Sequence, residues 1–326
     1  MFLPRRIDNR QILWSSLSLI AISLIVPGAL GIKPPHWFDV STQPEQTKNF
    51  IRNLSLPGNL YTAEKEPVES FVAAAEPSRL SKALDEAPDD EPVELSWPAV
   101  MGVFTVPANF QKKIPPTHLE LSGTAQKQSF VNLILPLIVA SNDELMQRRE
   151  AVREAAYAKD RNLLEKWAIL YRVESNNLDN FQLTERLLRR VDVIPVALAL
   201  AQAAVESGWG TSRFALQGNA LFGQWAWTES AGMRPLDASN DRAFVRSFGS
   251  LLESVRAYMH NLNTHPNYNR FRNARYQLNS QNQLAKASKL AAYLDSYAEI
   301  GVEYVHKLRA IISSNDFDKY SRAQLG

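Results

Sequence analysis

The stretch from Pro195 to Ser212 constrains this chain more than any other. Val196, Leu198, Leu200, Ala203 and Ala204 form a run too apolar to face water on any side, and proline is favoured where a helix opens. Such a segment has to be a buried helix, with the rest of the chain arranged around it. Gly208 and Gly210 end it, as glycine does at helix C-termini. That leaves one carboxylate, Glu206, in the last turn, where the backbone carbonyls and the helix dipole both disfavour an anion. Burial beside Trp209 and Phe214 adds desolvation, so the pKa of Glu206 is predicted to rise toward the range a general acid needs near neutrality. The plainer alternative is a surface glutamate on a helix end.

Around this segment the pattern is helical. From Lys127, Phe130, Leu133, Ile134, Leu137 and Ile138 recur at three- and four-residue spacing before the charged run Asp143 to Arg153, with Pro136 as a point for a kink. Further helices are predicted over 161–174, 181–190, 195–207, 251–263, 281–294 and 298–313. The rhythm breaks over 224–248, where Gly232, Pro235, Asp237 and Asn240 interrupt it and Arg242 to Phe248 reads as a strand. Val100 to Val106 reads as a strand-like arm. Ser250 and Glu253 have the spacing of a capping box, which makes Glu253 a helix-start device rather than a catalyst. The expected fold is mainly α with a minor β part (α+β): a helical lobe facing a small β-hairpin lobe, with a cleft between them.

The N-terminal third has a different character. Arg5, Arg6 and Arg10 precede the apolar stretch Ile12 to Val26, and Ala29 and Gly31 supply small side chains for cleavage. Residues 1–31 therefore read as a secretory signal, or as an inner-membrane anchor through residues 12–30. Either reading places the rest of the chain in the periplasm or cell envelope. Twelve of the eighteen prolines fall between Pro34 and Pro116. Glu64 to Glu94 holds ten acidic residues against three basic, a balance of −7. Residues 32–94 are accordingly expected to be a proline-rich acidic linker, partly disordered, followed by a domain over 95–315 and a C-terminal tail over 316–326. The chain has no cysteine, which rules out disulfides, a thiol nucleophile and Fe–S ligation.

Two motifs together carry a resemblance. Glu206-Ser-x-x-Gly210-x-Ser212 and Asn219-x-x-Phe222-Gly223 resemble the bacterial N-acetylglucosaminidase domain of glycoside hydrolase family 73, in the lysozyme-like superfamily. More specifically, the chain resembles the Bax-type glucosaminidase-domain proteins. The segments Ser250 to Ser254, Tyr258 to Asn267, and Tyr297-Ala298 with Tyr304, Lys307 and Leu308 agree with this. The resemblance implies a lysozyme-like fold and an endo-beta-N-acetylglucosaminidase acting on the glycan strands of peptidoglycan, with Glu206 as general acid. For the second group it points to a carboxylate of the β lobe, where Glu229, Asp237 and Asp241 lie and Glu229 comes first, or to the substrate's own 2-acetamido group. It places Tyr297 in the cleft near the acid. Trp225 and Trp227 are candidates for stacking on sugars, with at most one of the pair lining the groove. Phe222, Asn219, Asp237 and Asp241 complete the candidate substrate-binding set, although Phe222, like Trp209, reads better as core packed around Glu206 and Asn219 as a local hydrogen-bonding turn residue. A muramidase or lytic transglycosylase on the same fold, or a non-catalytic peptidoglycan-binding scaffold, are the competing readings.

Other chemistries have no support. Val205-Glu206-Ser207-Gly208-Trp209 lacks the glycines of a nucleophile elbow, which argues against a serine hydrolase. His260 and His265 are five apart with no H-E-x-x-H around them, which argues against a zinc peptidase. No metal, cofactor or nucleic-acid partner is expected, and the sequence names no protein partner.

Overall fold

The computed structural model describes residues 99–100, 103–226, 232–234, 244–280, 287–295, 297–298 and 301–326. The signal or anchor segment, the linker over 32–94, Trp227, Glu229, Asp237 and Asp241 lie outside the described residues.

The elements run β1 (Ala99–Val100), β2 (Val103–Val106), α1 (Pro116–Glu120), α2 (Gly123–Tyr157), α3 (Arg161–Leu170), α4 (Asn180–Arg190), α5 (Val196–Ser207), α6 (Arg213–Gly218), β3 (Trp225–Ala226), β4 (Gly232–Met233), β5 (Phe244–Arg246) and α7 (Leu251–Thr264). After α7 come a 3-10 turn (Pro266–Tyr268), α8 (Asn269–Ser280), α9 (Ala287–Leu290), a second 3-10 turn (Ala291–Tyr293), α10 (Val302–Ser314), a third 3-10 segment (Phe317–Arg322) and β6 (Gln324–Leu325). The fold is mainly helical with a minor β part.

As its composition requires, α5 is the core: every residue from Ala197 to Val205 is buried. It packs against α2, α9, α10 and the Phe317–Arg322 segment. The apolar periodicity after Lys127 belongs to one 35-residue helix, α2, which runs through Pro136 and is buried without a break from Ser129 to Ser141. By length and composition α2 is apolar enough to cross a membrane, but 78% of its most apolar window is buried inside the protein, so that apolarity belongs to the core. Helix starts follow side-chain capping. Asp160 accepts from Leu163 N–H at 2.9 Å, and Asp179 and Gln182 form a reciprocal capping box. Ser250 accepts from Glu253 N–H at 3.2 Å, while Glu253 reaches back one residue further than a standard box, to Gly249 N–H.

Two small sheets flank the helices. In one, β1 pairs antiparallel with β2, and β2 pairs parallel with β6, which joins the beginning of the described chain to its end. In the other, β5 is central between β3 and β4, both antiparallel, so the expected hairpin is a three-stranded sheet. Its close pairing depends on Gly232, where a Cβ would lie 2.5 Å from the Val245 carbonyl oxygen.

Three local expectations need correction. The stretch predicted as one helix over 281–294 contains, among its described residues, only a four-residue helix and a 3-10 turn. The helix predicted from 298 begins at Val302, after Gly301 at φ +51°. Helix α8 was not anticipated. Its inward residues include Arg272 and Arg275 among Phe271 and Ala274, so no apolar stripe marks it in the sequence. Those arginines replace hydrophobes because their donors meet helix-end carbonyls, which lack intrahelical partners. Arg272 bonds Leu262 and His265 carbonyls, and Arg275 bonds those of Asp192, Val193 and Arg189 together with the Asn263 side chain.

Candidate active site

The last turn of α5 ends as its glycines require. Gly208 is left-handed at φ +59°, its N–H returning to the Ala204 carbonyl, and Trp209 is left-handed in turn at φ +58°. Ser207 is committed to this cap: its hydroxyl donates to the Ala203 carbonyl and accepts from Gly210 N–H. Gly210, at φ +80°, has Ile114, Phe130 and His118 within 3.2 Å of where a Cβ would stand. The His118 ring spans the Ser129 hydroxyl and the Trp209 carbonyl, and burial holds its pKa below the ordinary value. Trp209 packs against Phe130 and Phe317 and under Lys127. Around Glu206 itself stands another set of groups.

That set consists of tyrosines from distant parts of the chain. Tyr304, on α10, donates its hydroxyl to Glu206 Oε1 at 2.7 Å. Tyr297 stacks on Tyr304, with centroids 5.5 Å apart and planes 3° from parallel, and Tyr268 stands 6.0 Å from Tyr297. Tyr258, on α7, stacks on Phe222 at 3.8 Å. Burial pushes the Glu206 carboxyl up to about 7, against the lowering effects of the Tyr304 hydrogen bond and the Lys307 charge. Burial first, with the Glu206 charge among the further causes, holds the hydroxyls of Tyr258, Tyr297 and Tyr304 well above the ordinary range. They are therefore neutral donors around a carboxyl group that titrates near neutrality.

The segment 219–224 closes the site from the other side. Asn219, left-handed at φ +51°, donates to the Phe248 carbonyl at 3.0 Å. Leu221 N–H is accepted by Ser254, Gln224 donates to the Ala257 carbonyl, and the Tyr297 hydroxyl donates to the Phe222 carbonyl at 3.0 Å. These bonds hold Gly223, at φ +60°, where an added Cβ would lie 3.6 Å from Glu206 Oε2. A side chain there would touch that oxygen, and the left-handed backbone disfavours any residue but glycine.

The candidates thus separate. Glu206 and Tyr297 share this site. Phe222 and Asn219 are both buried, Phe222 against Tyr258 and Asn219 as the tie to Phe248. Trp225, on β3, is 39% exposed. Sequence reasoning missed Gln202, Tyr258, Tyr268 and the contact role of Tyr304. Gln202 was discoverable, being the one polar residue inside the apolar helix and one turn before Glu206.

Residues 182–317, which contain all of these groups, match the family model described as mannosyl-glycoprotein endo-beta-N-acetylglucosaminidase. Protein bax of Escherichia coli (strain K12) is 33% identical over 199 residues, covering 60% of this chain and 71% of that protein. Among solved structures, the catalytic domain of the autolysin Auto from Listeria monocytogenes matches at 18% identity over 63% of this chain and 93% of its own, with a TM-score of 0.34. On the identity and coverage of the bax relative and the position of the matched domain, the chain belongs to the Bax-type family of glucosaminidase-domain proteins.

Proposed function

We propose that this chain is a peptidoglycan hydrolase that cleaves the β-1,4 bonds of cell-wall glycan strands after N-acetylglucosamine, with Glu206 as the general acid. The observation that carries this reading is the Glu206 carboxyl pushed up to about 7 by burial, with Oε2 beside Gly223 and Oε1 held by the Tyr304 hydroxyl. A carboxylic acid that keeps its proton near neutrality can protonate the departing glycosidic oxygen as the bond breaks. The endo-N-acetylglucosaminidase named by the matched family model supports the substrate class.

The positive charge that develops on the sugar ring is met by a second group, either a carboxylate of the β lobe, with Glu229 first, or the substrate's 2-acetamido group. Tyr297 shapes the site through the Phe222 carbonyl, and its hydroxyl oxygen keeps the capacity to accept from a water or an acetamido N–H. Trp225 presents an exposed aromatic face of the kind that stacks on sugar rings. Residues 1–31 would carry the domain across the inner membrane, with residues 32–94 as the tether.

The test is digestion of purified peptidoglycan by the chain and by Glu206→Gln, with product ends identified by mass spectrometry. New reducing N-acetylglucosamine ends that vanish in the variant are expected. Muramic or anhydro-muramic ends would transfer the chain to muramidase or lytic transglycosylase chemistry. Glycan binding without cleavage by either protein would make it a scaffold.

A further inference from the structure

The hydrogen bonds that end on Glu206 run in one direction. Tyr258 donates its hydroxyl to Gln202 Oε1 at 2.7 Å, Gln202 Nε2 donates to the Tyr304 hydroxyl oxygen at 3.0 Å, and Tyr304 donates to Glu206 Oε1 at 2.7 Å. An amide oxygen only accepts and an amide nitrogen only donates. Gln202 is wholly buried, so its amide nitrogen occupies an acceptor position of Tyr304 and turns that hydroxyl's proton toward Glu206. The Tyr304 ring has no freedom to swing away, because Tyr297 is stacked on it. With Oε1 held as an acceptor, the acid's own proton belongs on Oε2, the oxygen beside Gly223.

We propose that Gln202 is a positioning residue: by orienting the Tyr304 hydroxyl it sets which oxygen of Glu206 carries the proton and how readily that proton leaves. The effect on turnover rests on reading Glu206 as the acid, whereas the effect on the titration of Glu206 does not. A donor to Oε1 favours the ionised carboxylate and so opposes desolvation. The other groups that act on Glu206 or are acted on by it come from four segments: Lys307 beside Tyr304 on α10, Tyr258 on α7, Tyr268 at the turn before α8 and Tyr297 at the turn before α10. Of these, only Tyr258 is bonded to Gln202, so a change at Gln202 that keeps its length breaks no hydrogen bond of Lys307, Tyr268 or Tyr297. A residue that merely filled space in α5 would influence stability and leave the Glu206 proton where it is.

The experiment follows the Glu206 carboxyl carbon by NMR in the full chain labelled at glutamate Cδ, the signal being assigned by its absence in Glu206→Gln. Gln202→Met keeps the side-chain length and removes both hydrogen bonds. It is expected to raise the titration midpoint of Glu206 by about one pH unit. It should also shift the alkaline limb of peptidoglycan cleavage upward in step and lower kcat by about tenfold or more with KM little changed. Tyr258→Phe, which removes only the first donor, is expected to shift the midpoint in the same direction by less. A folded Gln202→Met with the wild-type midpoint overturns the proposal. Should that variant fail to fold, an unchanged midpoint in Tyr258→Phe overturns it. Full cleavage by Glu206→Gln would sink the general-acid reading instead, and the midpoint shift would still decide the role of Gln202.

Discussion

Glu206 stabilises the fold only in its neutral form. Its ordinary value is 4.5 and its folded value about 7, so between these limits the folded chain binds a proton that the unfolded chain has lost. Stability is therefore intact below about pH 4.5, declines across the interval and has fallen by its full amount above pH 7, by up to about 3 kcal/mol. Glu206→Gln cannot ionise and should escape the decline, becoming the more stable protein at pH 8 while matching wild type at pH 5. Urea midpoints at the two pH values check this, and an equal pH dependence in both proteins contradicts it. Acid catalysis has the same sign, since the active protonated form is depleted as pH rises through 7. At this scale the sequence shows the acid but not its partners. Helix position and apolar context are local properties, and they point to Glu206. Tyr304 reaches it from 98 positions away, and Tyr258 reaches Gln202 from 56, which no spacing rule encodes.

Among the elements, legibility follows how ordinary each interior is. Helix α5 is apolar on every side and was readable to within one residue of its observed bounds, Val196–Ser207. Helix α8 was invisible because charge occupies its inner face. Burial lowers Arg272 to about 9 and Arg275 to about 10, so both remain cations at neutral pH inside the protein. Arg275 also stands 3.6 Å from Asp192, which in turn lies 3.8 Å from Arg149. Removing such a group strands several polar partners at once. Arg275→Met is expected to cost about 3–5 kcal/mol, more than a typical single substitution, because it leaves Asp192 with one arginine and uncaps the end of α4. Arg153→Met, at a surface pair with Glu150, should cost less than about 1 kcal/mol. Chemical denaturation of the two variants side by side tests the contrast, and comparable losses would mean that the buried arginines are replaceable.

For the molecule as a whole, the last eleven residues bear on how the core is closed. The segment 316–326, expected as a tail, holds Phe317 and Tyr320 buried, Phe317 against Trp209 and Tyr320 edge-on to Phe104. It packs along α5 and then pairs β6 with β2, Val106 opposite Leu325, with Gly326 N–H donating to the Val106 carbonyl. A reading based on periodicity cannot find this, because Phe317 and Tyr320 are too few to make a pattern and their partners, Trp209 and Phe104, lie more than a hundred positions away. The contacts make a definite expectation. Truncation after Asn315 removes two buried aromatic side chains at about 1.5–3 kcal/mol each and exposes the face of α5 on the side of Trp209. We expect a loss of about 3–6 kcal/mol, accompanied by a red shift of tryptophan emission as Trp209 meets water. The surroundings of Glu206 need not change, since Glu206, Tyr304 and Gln202 are bonded to one another. At low temperature, where the shortened chain still folds, its titration of Glu206 should therefore remain near 7. A truncated chain as stable as the full one would show that the segment lies on the surface of a core complete without it. Lost stability with an unchanged Glu206 midpoint would show that the C-terminal segment supports the core while the site is held by α5, α7 and α10.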